Sequence, residues 1–382
     1  MYQFNEEEQM ILSMVDDICT DIIMPRAQEI DIQDEFPWDI HQVLAEQGIF
    51  SLCFAEEYGG AGVGLHCWLK MMEKIAAVSC AVSMMIANVS LGSAPVVLFG
   101  NEEQKQKVLP ELASGEAQIA FGLTEPNAGS DIGGITTTAV KKGDKYVING
   151  NKVFITSGSV SKYFSIFAKV IGEDGSRKLS CFLAEKDMPG LVIGRNEEKM
   201  GLHGSVTTQL FFENLEVPES AIIGQIGDGY KIVFQSLNKG RLNNGAQATG
   251  LVQAALKDAT IYAKGRVQFG NPISEFQAIQ FMIADMEIGL QTCHLMLDNA
   301  ATLFEQKSPD LMKYASATKV VCSDMANKAT ADAVQIFGGY GYCKEYPVER
   351  YFRDSKIFPI FEGSNQIQRG IIAKAVYKEY NE

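Results

Sequence analysis

The sequence has little of several features that mark particular classes of protein. Its 382 residues include four histidines, none within five positions of another, so no zinc site is expected. The eight cysteines include no C-x-x-C pair, and several lie in apolar runs, so we expect them to be reduced core residues. Basic residues are fewer than acidic ones, 33 against 47, and the net charge of -14 disfavours binding to nucleic acid.

Signals for export and for membrane insertion are also missing. Residues 1–9 carry acidic and polar side chains but no basic one, unlike a secretory signal or an Arg-rich transit peptide. We find no run of about 18 apolar residues, so no membrane span is expected. Together with reduced cysteines, these features predict a cytoplasmic location, in a bacterium.

Periodicity divides the chain into three segments and predicts an α+β multidomain protein. Apolar residues recur at helical spacing through residues 1–117, which predicts an N-terminal α-helical domain. Residues 118–226 contain short β-branched and aromatic runs separated by turn sequences such as Asn149-Gly150-Asn151, and these predict a middle antiparallel β-barrel or sandwich. Helical spacing returns in residues 227–382, where four long segments predict a C-terminal four-helix bundle: 228–264, 275–306, 309–338 and 364–380.

Two stretches of the predicted β domain carry residue types suited to a ligand. Residues 121–131 read Phe-Gly-Leu-Thr-Glu-Pro-Asn-Ala-Gly-Ser-Asp, and small residues with hydroxyls let a loop approach a flat ring or a phosphate closely. The same residues are equally compatible with a tight turn that has an Asx or Ser cap. Residues 154–156, Phe-Ile-Thr, end a predicted strand and taken alone indicate nothing more.

Further candidate residues lie in the predicted bundle, and each has a plain structural alternative. Arg241 suits a phosphate or a solvated helix face, and the glycines of residues 335–341 suit a cofactor contact or a helix cap. Arg266 begins the sequence Arg-Val-Gln-Phe-Gly, and Gln277 follows it. Glu362 stands in a loop beside Gly363, where a single carboxylate is usually solvated.

In this order and spacing, these stretches resemble the acyl-CoA dehydrogenase family of flavoenzymes over essentially the whole chain. The family's motifs read T-E-P-x-A-G-S-D, W/F-I-T, R-x-x-F-G with a later Gln, Q-x-x-G-G-x-G, and Y-E-G followed by T-S-x-Q-I-x-R. The sequence departs from the commonest patterns at Asn127, Asn238 and Phe361, but none of these changes removes a catalytic group. The family's helical, β and four-helix-bundle domains agree with the periodicity.

The resemblance implies FAD as the cofactor and an acyl-CoA as the substrate. Thr124 would lie close to the flavin ring, and Arg266 with the segment 335–339 would hold the FAD of a neighbouring subunit. This arrangement requires an oligomer, which is a homotetramer in most members. The implied substrate residues are Ser130, Asn238, Arg241 and Gly363. The implied cofactor residues are Phe121, Leu123, Thr124, Gly129, Ser130, Phe154, Ile155, Thr156, Arg266, Gln277, Gln335, Gly338, Gly339, Ser364, Asn365 and Gln366.

The reaction that the resemblance implies is α,β-dehydrogenation of the thioester to a 2-enoyl-CoA. Glu362 would remove the α-proton, hydride would pass to FAD, and an electron-transferring flavoprotein would receive the electrons. The Glu362 backbone N–H would polarise the thioester oxygen, and burial would raise the pKa of the carboxyl. A subset of the family carries the base one residue before Arg241, but Gly240 cannot serve there, so Glu362 is the only candidate.

Several alternatives stay open at this point. An enoyl-CoA reductase, including one for cyclic or aryl substrates, would run the same chemistry backwards, and a flavin-free assembly subunit would run none. Acyl-CoA oxidases of the family are generally longer than this chain. No Lys or Arg lies between Lys74 and Lys105, which disfavours a dicarboxylic substrate. Asn243 and Asn244 are expected beside the acyl pocket, where they would hydrogen-bond a polar acyl chain, or else in a capping role or facing solvent.

Overall fold

The computed structural model describes residues 2–380, and its N-terminal part is helical, as the sequence predicts. Asn5 and Glu8 form a capping box at the start of the first helix, where each side chain accepts a hydrogen bond from the other residue's backbone N–H. The outer ends of the predicted domains, residues 1 and 382, lie outside the described residues. The helices of this part are α1 (Glu6–Ile18), α2 (Ala27–Gln33), α3 (Trp38–Glu46), α4 (Leu65–Val78), α5 (Cys80–Phe99) and α6 (Glu102–Ala113).

Helix α5 is apolar around its whole circumference. Its 20 residues include no charged side chain, and most of them are buried. Within the described part of the chain, α5 alone is long and apolar enough to cross a membrane, and 78% of its most apolar window is buried inside the structure. Ser and Asn side chains interrupt the apolar residues of α5, and burial of this kind is typical of a core helix, so α5 is not a clear membrane span.

The middle part is built on one sheet, whose eight strands within residues 2–380 are β1 (Ile119–Gly122), β2 (Thr138–Lys142), β3 (Lys145–Thr156), β4 (Tyr163–Ile171), β5 (Arg177–Glu185), β6 (Leu191–Asn196), β7 (Thr207–Pro218) and β8 (Ile222–Ile223). Their order across the sheet is β6-β7-β3-β2-β4-β5-β8, and β1 also pairs with β4. The prediction that the middle part of the chain is a β domain is thus confirmed.

The sheet is mixed, whereas the sequence predicts an antiparallel one. β1 runs parallel to the first residues of β4, and β2 runs parallel to the last residues of β4. The two short strands therefore lie one after the other along β4, and residues 123–137 loop out between them. Strand direction depends on partners that are distant in sequence, which turn signals alone do not report.

Residues 149–151 form a bulge within β3, so the hairpin turn predicted there is wrong. β3 pairs with β7 on both sides of the bulge, with a register shift between Ile148 and Gly150. Gly150 has a φ of 145°, and a Cβ at this position would lie 2.5 Å from Thr137 Oγ1. The glycine is needed for this close backbone approach rather than for a reversal of the chain.

The C-terminal part contains the predicted bundle of four long helices: α7 (Gly229–Gly265), α8 (Gln277–Glu305), α9 (Leu311–Phe337) and α11 (Asn365–Glu379). A small hairpin of β9 (Val267–Gln268) and β10 (Asn271–Pro272) connects α7 to α8, and the short α10 (Val348–Ser355) precedes α11. Helix α7 packs against α4 and α5 of the N-terminal part, so the two helical parts share one hydrophobic core.

The sheet has a second, smaller core of its own. Phe164, Ile166 and Ala168 alternate along β4 with Tyr163 and Phe167, and the two sets point to opposite faces. The first set packs within the β domain, while the second set joins the helical core. This alternation fixes β4 between the sheet and the helices, and it places the loop 123–137 at their boundary.

The cysteines are all free thiols, as the sequence predicts. Six of them are buried, and burial raises the pKa of Cys19 and Cys67 to about 12, so these thiols stay protonated and act as small apolar side chains. Cys343 is exposed, so the expectation of a core position is wrong for this residue. It lies beside the end of α9, outside the bundle core.

Candidate functional site

A cavity of about 730 Å³ lies where the three parts of the chain meet. Its walls come from α5, the loop after β1, the end of β3, the first turns of α7 and residues 357–371. Twelve residues expected from the sequence line this one cavity: Phe121, Leu123, Thr124, Gly129, Ser130, Phe154, Ile155, Thr156, Arg241, Glu362, Gly363 and Ser364. Stretches that are up to about 240 positions apart in sequence therefore meet around a single space.

A second group of expected residues lies elsewhere, around a separate cavity of about 550 Å³ at the ends of α7 and α9. Arg266, Gly338 and Gly339 line this cavity, and the Arg266 guanidinium lies over the Tyr340 ring at 5.6 Å from its centroid. Gln277 and Gln335 are exposed residues next in sequence to lining residues. Among residues 2–380, no residue lines both cavities.

Besides Gln277 and Gln335, three further expected residues line neither cavity. Asn238 accepts a hydrogen bond from Arg241 Nη1 at 2.8 Å, so it holds the arginine side chain from the preceding turn of α7. Gln366 is exposed, and Asn365 is buried with its side chain turned towards α9. The two asparagines 243 and 244 are also buried, and neither predicted environment holds.

Asn243 and Asn244 are interior residues of α7, away from both the cavity and solvent. Asn243 Oδ1 accepts a hydrogen bond from the Trp68 indole at 2.8 Å, and Asn244 Nδ2 donates to the Phe358 carbonyl at 3.2 Å. Each amide therefore ties α7 to a neighbouring segment. The sequence predicts that these two positions are helical, but it does not show which neighbouring segment each side chain faces.

The sequence interpretation missed one wall of the cavity, which α5 supplies. Met84, Ala87, Asn88 and Leu91 face the cavity at spacings of three, four and seven residues, which is one face of a helix. In a sequence, one face of a helix can be identified when the opposite face is polar. Because α5 is buried on all sides, the helix has no such stripe.

A buried ion pair holds the loop after β1 in place. The Lys152 ammonium lies 2.8 Å from Glu125 Oε1 and donates to the Leu123 carbonyl at 3.0 Å, and both charged side chains are almost fully buried. Glu125 also accepts hydrogen bonds from the backbone N–H groups of Thr136 and Thr137. Both ends of the loop 123–137 are thereby fastened to β3, which fixes Thr124 at the cavity wall.

The electrostatics of this pair agree with its geometry. Burial alone would raise the pKa of Glu125, but the charge of Lys152 and hydrogen bonds from Lys152, Thr137 and Thr136 outweigh it and lower the pKa to about 2. Burial lowers the pKa of Lys152 to about 8, against the opposing effect of Glu125. At neutral pH the carboxylate is ionised and the ammonium stays mostly protonated.

Among residues 2–380, Glu362 is the one carboxylate that lines the cavity. Its backbone φ of 54° lies in the left-handed region, and the turn continues through Gly363 with a φ of 87°. Its Oε2 is buried and has no hydrogen-bond partner in the described part of the chain. Burial raises the pKa of this carboxyl to about 8, although the positive charges of Lys319 and Arg241 oppose the shift. The group is therefore poised to exchange a proton near neutral pH.

Gly240 makes room for this carboxyl. A Cβ on residue 240 would lie 2.9 Å from Glu362 Oε2 and 3.4 Å from Leu91 Cδ1. We expect Gly240→Ala to displace the carboxyl and lower the turnover number at least about tenfold, while the helix itself gains up to about 1 kcal/mol from the better helix former. Steady-state kinetics and denaturant unfolding of the same preparation measure the two effects.

Gly370→Ala is the matched control for this change, since residue 370 lies within α11 and a Cβ there meets nothing within 4 Å. It should gain a similar stability and keep the turnover of the unsubstituted protein. If Gly240→Ala kept full turnover as well, the position of the Glu362 carboxyl would not require the absence of a side chain at residue 240.

The raised pKa of Glu362 also predicts how stability depends on pH. The folded-state pKa of about 8 exceeds the ordinary value of 4.5, so folding favours the protonated form. The stabilising effect is complete below pH 4.5 and is lost as the pH rises through about 8. Glu362→Gln cannot ionise, so its melting temperature should exceed that of the unsubstituted protein by more at alkaline pH than at acidic pH. Equal differences at all pH values would contradict the raised pKa.

Comparisons with known proteins cover nearly the whole chain. Models described as the N-terminal, middle and C-terminal domains of acyl-CoA dehydrogenase match residues 5–116, 120–215 and 227–377. A protein of Bacillus subtilis (strain 168) described as acyl-CoA dehydrogenase is 44% identical over 370 residues, which are 97% of each chain.

Two solved structures have the same fold as this chain. Butyryl-CoA dehydrogenase from Megasphaera elsdenii is 37% identical with a TM-score of 0.94, and the match covers 99% of this chain and 100% of that one. A chain from a structural study of the electron transferring flavoprotein of Acidaminococcus fermentans is 41% identical with a TM-score of 0.95, covering 98% of this chain and 99% of that one.

Proposed function

We infer the reaction of this chain from its family, because it belongs to the acyl-CoA dehydrogenase family of FAD-dependent oxidoreductases. We propose that it oxidises the Cα–Cβ bond of an acyl-CoA thioester to the 2-enoyl-CoA, with Glu362 as the base. The single observation that carries this proposal is the unpartnered Oε2 of Glu362 in the cavity wall. A buried carboxyl with no hydrogen bond has a lone pair available for a substrate proton.

Glu362 would take the α-proton of the thioester at Oε2. The pKa of about 8 brings the carboxylate closer in basicity to the carbon acid than an exposed glutamate is. The α-proton becomes acidic enough only if the thioester oxygen is polarised. The Glu362 backbone N–H makes no hydrogen bond to any residue within 2–380 and is free to donate to that oxygen.

The residues of the larger cavity fit FAD. The hydroxyls of Thr124 and Thr156 make no hydrogen bond within the described part of the chain, and they border the cavity from two sides. A Cβ on Gly129 would meet no atom within 4 Å, so the loop leaves open space beside the ring site. FAD supplies the acceptor for the β-hydrogen when it is bound. Phe121, Phe154 and Ile155 would provide apolar contacts to it, and Leu123 and Ser364 would provide further contacts.

The acyl-CoA would enter along α7. The Ser130 hydroxyl makes no hydrogen bond within residues 2–380 and lines the cavity, as does Arg241, which donates to Asn238. The Arg241 Nε is buried and has no hydrogen-bond partner among the described residues, which leaves a donor for a polar group of the substrate. Gly363 would flank the thioester next to the base. For Asn365, whose side chain is occupied elsewhere, only the backbone is available to the cofactor.

In the homotetramer that we propose, one subunit would contact the FAD of another at the second cavity. Arg266, Gly338 and Gly339 would bind the adenosine and pyrophosphate end of that FAD, with Gln277 and Gln335 at the rim. Phe269 in the cavity wall is 94% exposed in the single chain, which is costly for an aromatic ring unless another subunit covers it. Phe281, Ile288 and Leu295 form an exposed apolar row at seven-residue spacing on α8.

Anaerobic titration of the purified protein with a panel of acyl-CoAs tests this function. A short linear, a branched, a medium, a cyclic or an aryl thioester that bleaches the flavin identifies the substrate class, and a flavoprotein or dye then accepts the electrons. Peroxide formation in air at the rate of turnover would instead indicate an oxidase. Failure of every thioester to reduce the flavin, with rapid oxidation of the reduced protein by enoyl-CoA, would favour the reverse reaction.

A further inference from the structure

Lys319 and Asn365 form a buried polar pair that connects α9 to the turn carrying Glu362. The Lys319 ammonium is fully buried and donates to Asn365 Oδ1 at 2.8 Å. Asn365 Nδ2 donates to Ser323 Oγ at 2.9 Å and to Asp324 Oδ1 at 2.7 Å. Asn365 is thus held by three side chains of α9 and is itself the first residue of α11.

The turn that carries Glu362 is closed from the same side. The Asn365 backbone N–H donates to the Pro359 carbonyl at 2.9 Å, and Gln368 Nε2 donates to the carbonyls of Glu362 and Gly363 at 3.2 and 3.1 Å. These bonds maintain the left-handed backbone of Glu362, which costs free energy in a residue other than glycine. A displacement of Asn365 would therefore be passed directly to the carboxyl.

Few charges act on this buried lysine. Lys319 makes no ion pair within 4.0 Å among residues 2–380. The charged groups that act on it are Glu362 first, then Asp324, Arg241 and Arg369. Glu362 is acted on by Lys319 first and by Arg241 second. Lys319 and Glu362 therefore influence each other across the Asn365 turn without touching.

Burial of an ammonium group with one amide partner is an expensive way to pack two helices. An isolated buried charge costs several kcal/mol unless another group compensates it, and an apolar side chain of similar volume avoids that cost. Burial lowers the pKa of Lys319 to about 8, because the charged form loses its hydration in the interior. A lysine at this position is better explained by its charge than by its volume.

We propose that Lys319 is a positioning residue for the base: through Asn365 it fixes the turn that carries Glu362, and its ammonium supplies a stationary positive charge behind the carboxylate. The proposal rests on the assignment of Glu362 as the base. The charge would favour the ionised base before substrate binds, and the fixed turn would keep Oε2 directed into the cavity.

Three variants separate the two parts of this role. Lys319→Gln keeps a donor for Asn365 and removes the charge, Lys319→Arg keeps the charge, and Asn365→Ser weakens the link while keeping the ammonium. The titration of Glu362 is measured in the flavin-bound protein by infrared difference spectroscopy, with the carboxyl band assigned by its absence in Glu362→Gln. Turnover number and KM are measured in parallel.

We expect the charge of Lys319 to set the titration midpoint of Glu362, and the hydrogen bond between Lys319 and Asn365 to affect turnover. Lys319→Gln should raise the Glu362 midpoint by about one pH unit, whereas Lys319→Arg should leave it nearly unchanged. Asn365→Ser should leave the midpoint unchanged and lower the turnover number about tenfold with little change in KM.

An unchanged midpoint in Lys319→Gln, or full turnover in Asn365→Ser, would overturn the proposal. Loss of folding in both Lys319 variants would also overturn it, since the residue would then be merely structural. The infrared titration needs no substrate, so it decides the Lys319 role even if no acyl-CoA reduces the flavin, an outcome that would instead defeat the proposed function.

Discussion

Glu362→Gln is expected to lower turnover with an acyl-CoA about 1,000-fold while FAD stays bound. Glutamine fills the same volume and keeps the backbone N–H that would polarise the thioester, so only the proton acceptor is removed. No other carboxylate lines the cavity within the described residues, and Gly240 has no side chain to substitute for it. The measurement is the rate of flavin bleaching in stopped flow under saturating substrate.

The visible spectrum of the bound flavin is the control for this variant. An unchanged flavin content with slow bleaching would assign the defect to chemistry rather than to assembly. Bleaching by Glu362→Gln within about tenfold of the unsubstituted rate would require a different base, because removal of a general base costs at least about 100-fold.

Lys152→Met is expected to destabilise the protein by about 3 to 5 kcal/mol and to release FAD. The change leaves Glu125 buried and without its charge partner, and it frees the Leu123 carbonyl that Lys152 holds. Because both ends of the loop 123–137 are fastened through this pair, Thr124 and Ser130 would lose their positions at the cavity. Denaturant unfolding and flavin content after gel filtration measure the two effects.

Lys145→Met on the same strand is the matched control. Lys145 pairs with Glu216 at 3.0 Å, but both side chains are about half exposed, so the loss should be less than about 1 kcal/mol. Equal stabilities for the Lys152 and Lys145 variants would mean that the buried pair does not hold the loop. Retention of full flavin content by Lys152→Met would lead to the same conclusion.

The sequence predicts the helical parts well because their signals are local. The capping box at Asn5 and the apolar spacing of the long bundle helices are readable within one or two turns. The strands are harder, because a partner distant in the chain decides their direction and register. Asn149-Gly150-Asn151 has the composition of a turn, but pairing with β7 on both sides converts it to a bulge.

In the candidate site, too, some residues are identified by local sequence and others only by the folded structure. Motif residues such as Thr124, Arg241 and Glu362 are recognised by resemblance, and they do line one cavity. The residues behind them carry no motif. Lys319 reads as a polar position on an ordinary helix, and only the folded structure brings it to Asn365. Residues that support a site through a neighbouring segment are set by tertiary packing, which a single sequence does not encode locally.

Washout of deuterium from the α-carbon tests the role of Glu362 most directly. The substrate is an acyl-CoA labelled at the α-carbon and unable to give up a β-hydrogen, so only proton transfer is observed. The unsubstituted protein should exchange the label into solvent, at a rate that increases with pH towards the carboxyl pKa of about 8, and Glu362→Gln should not exchange it. Washout at the same rate by both proteins would contradict the assignment of Glu362 as the base.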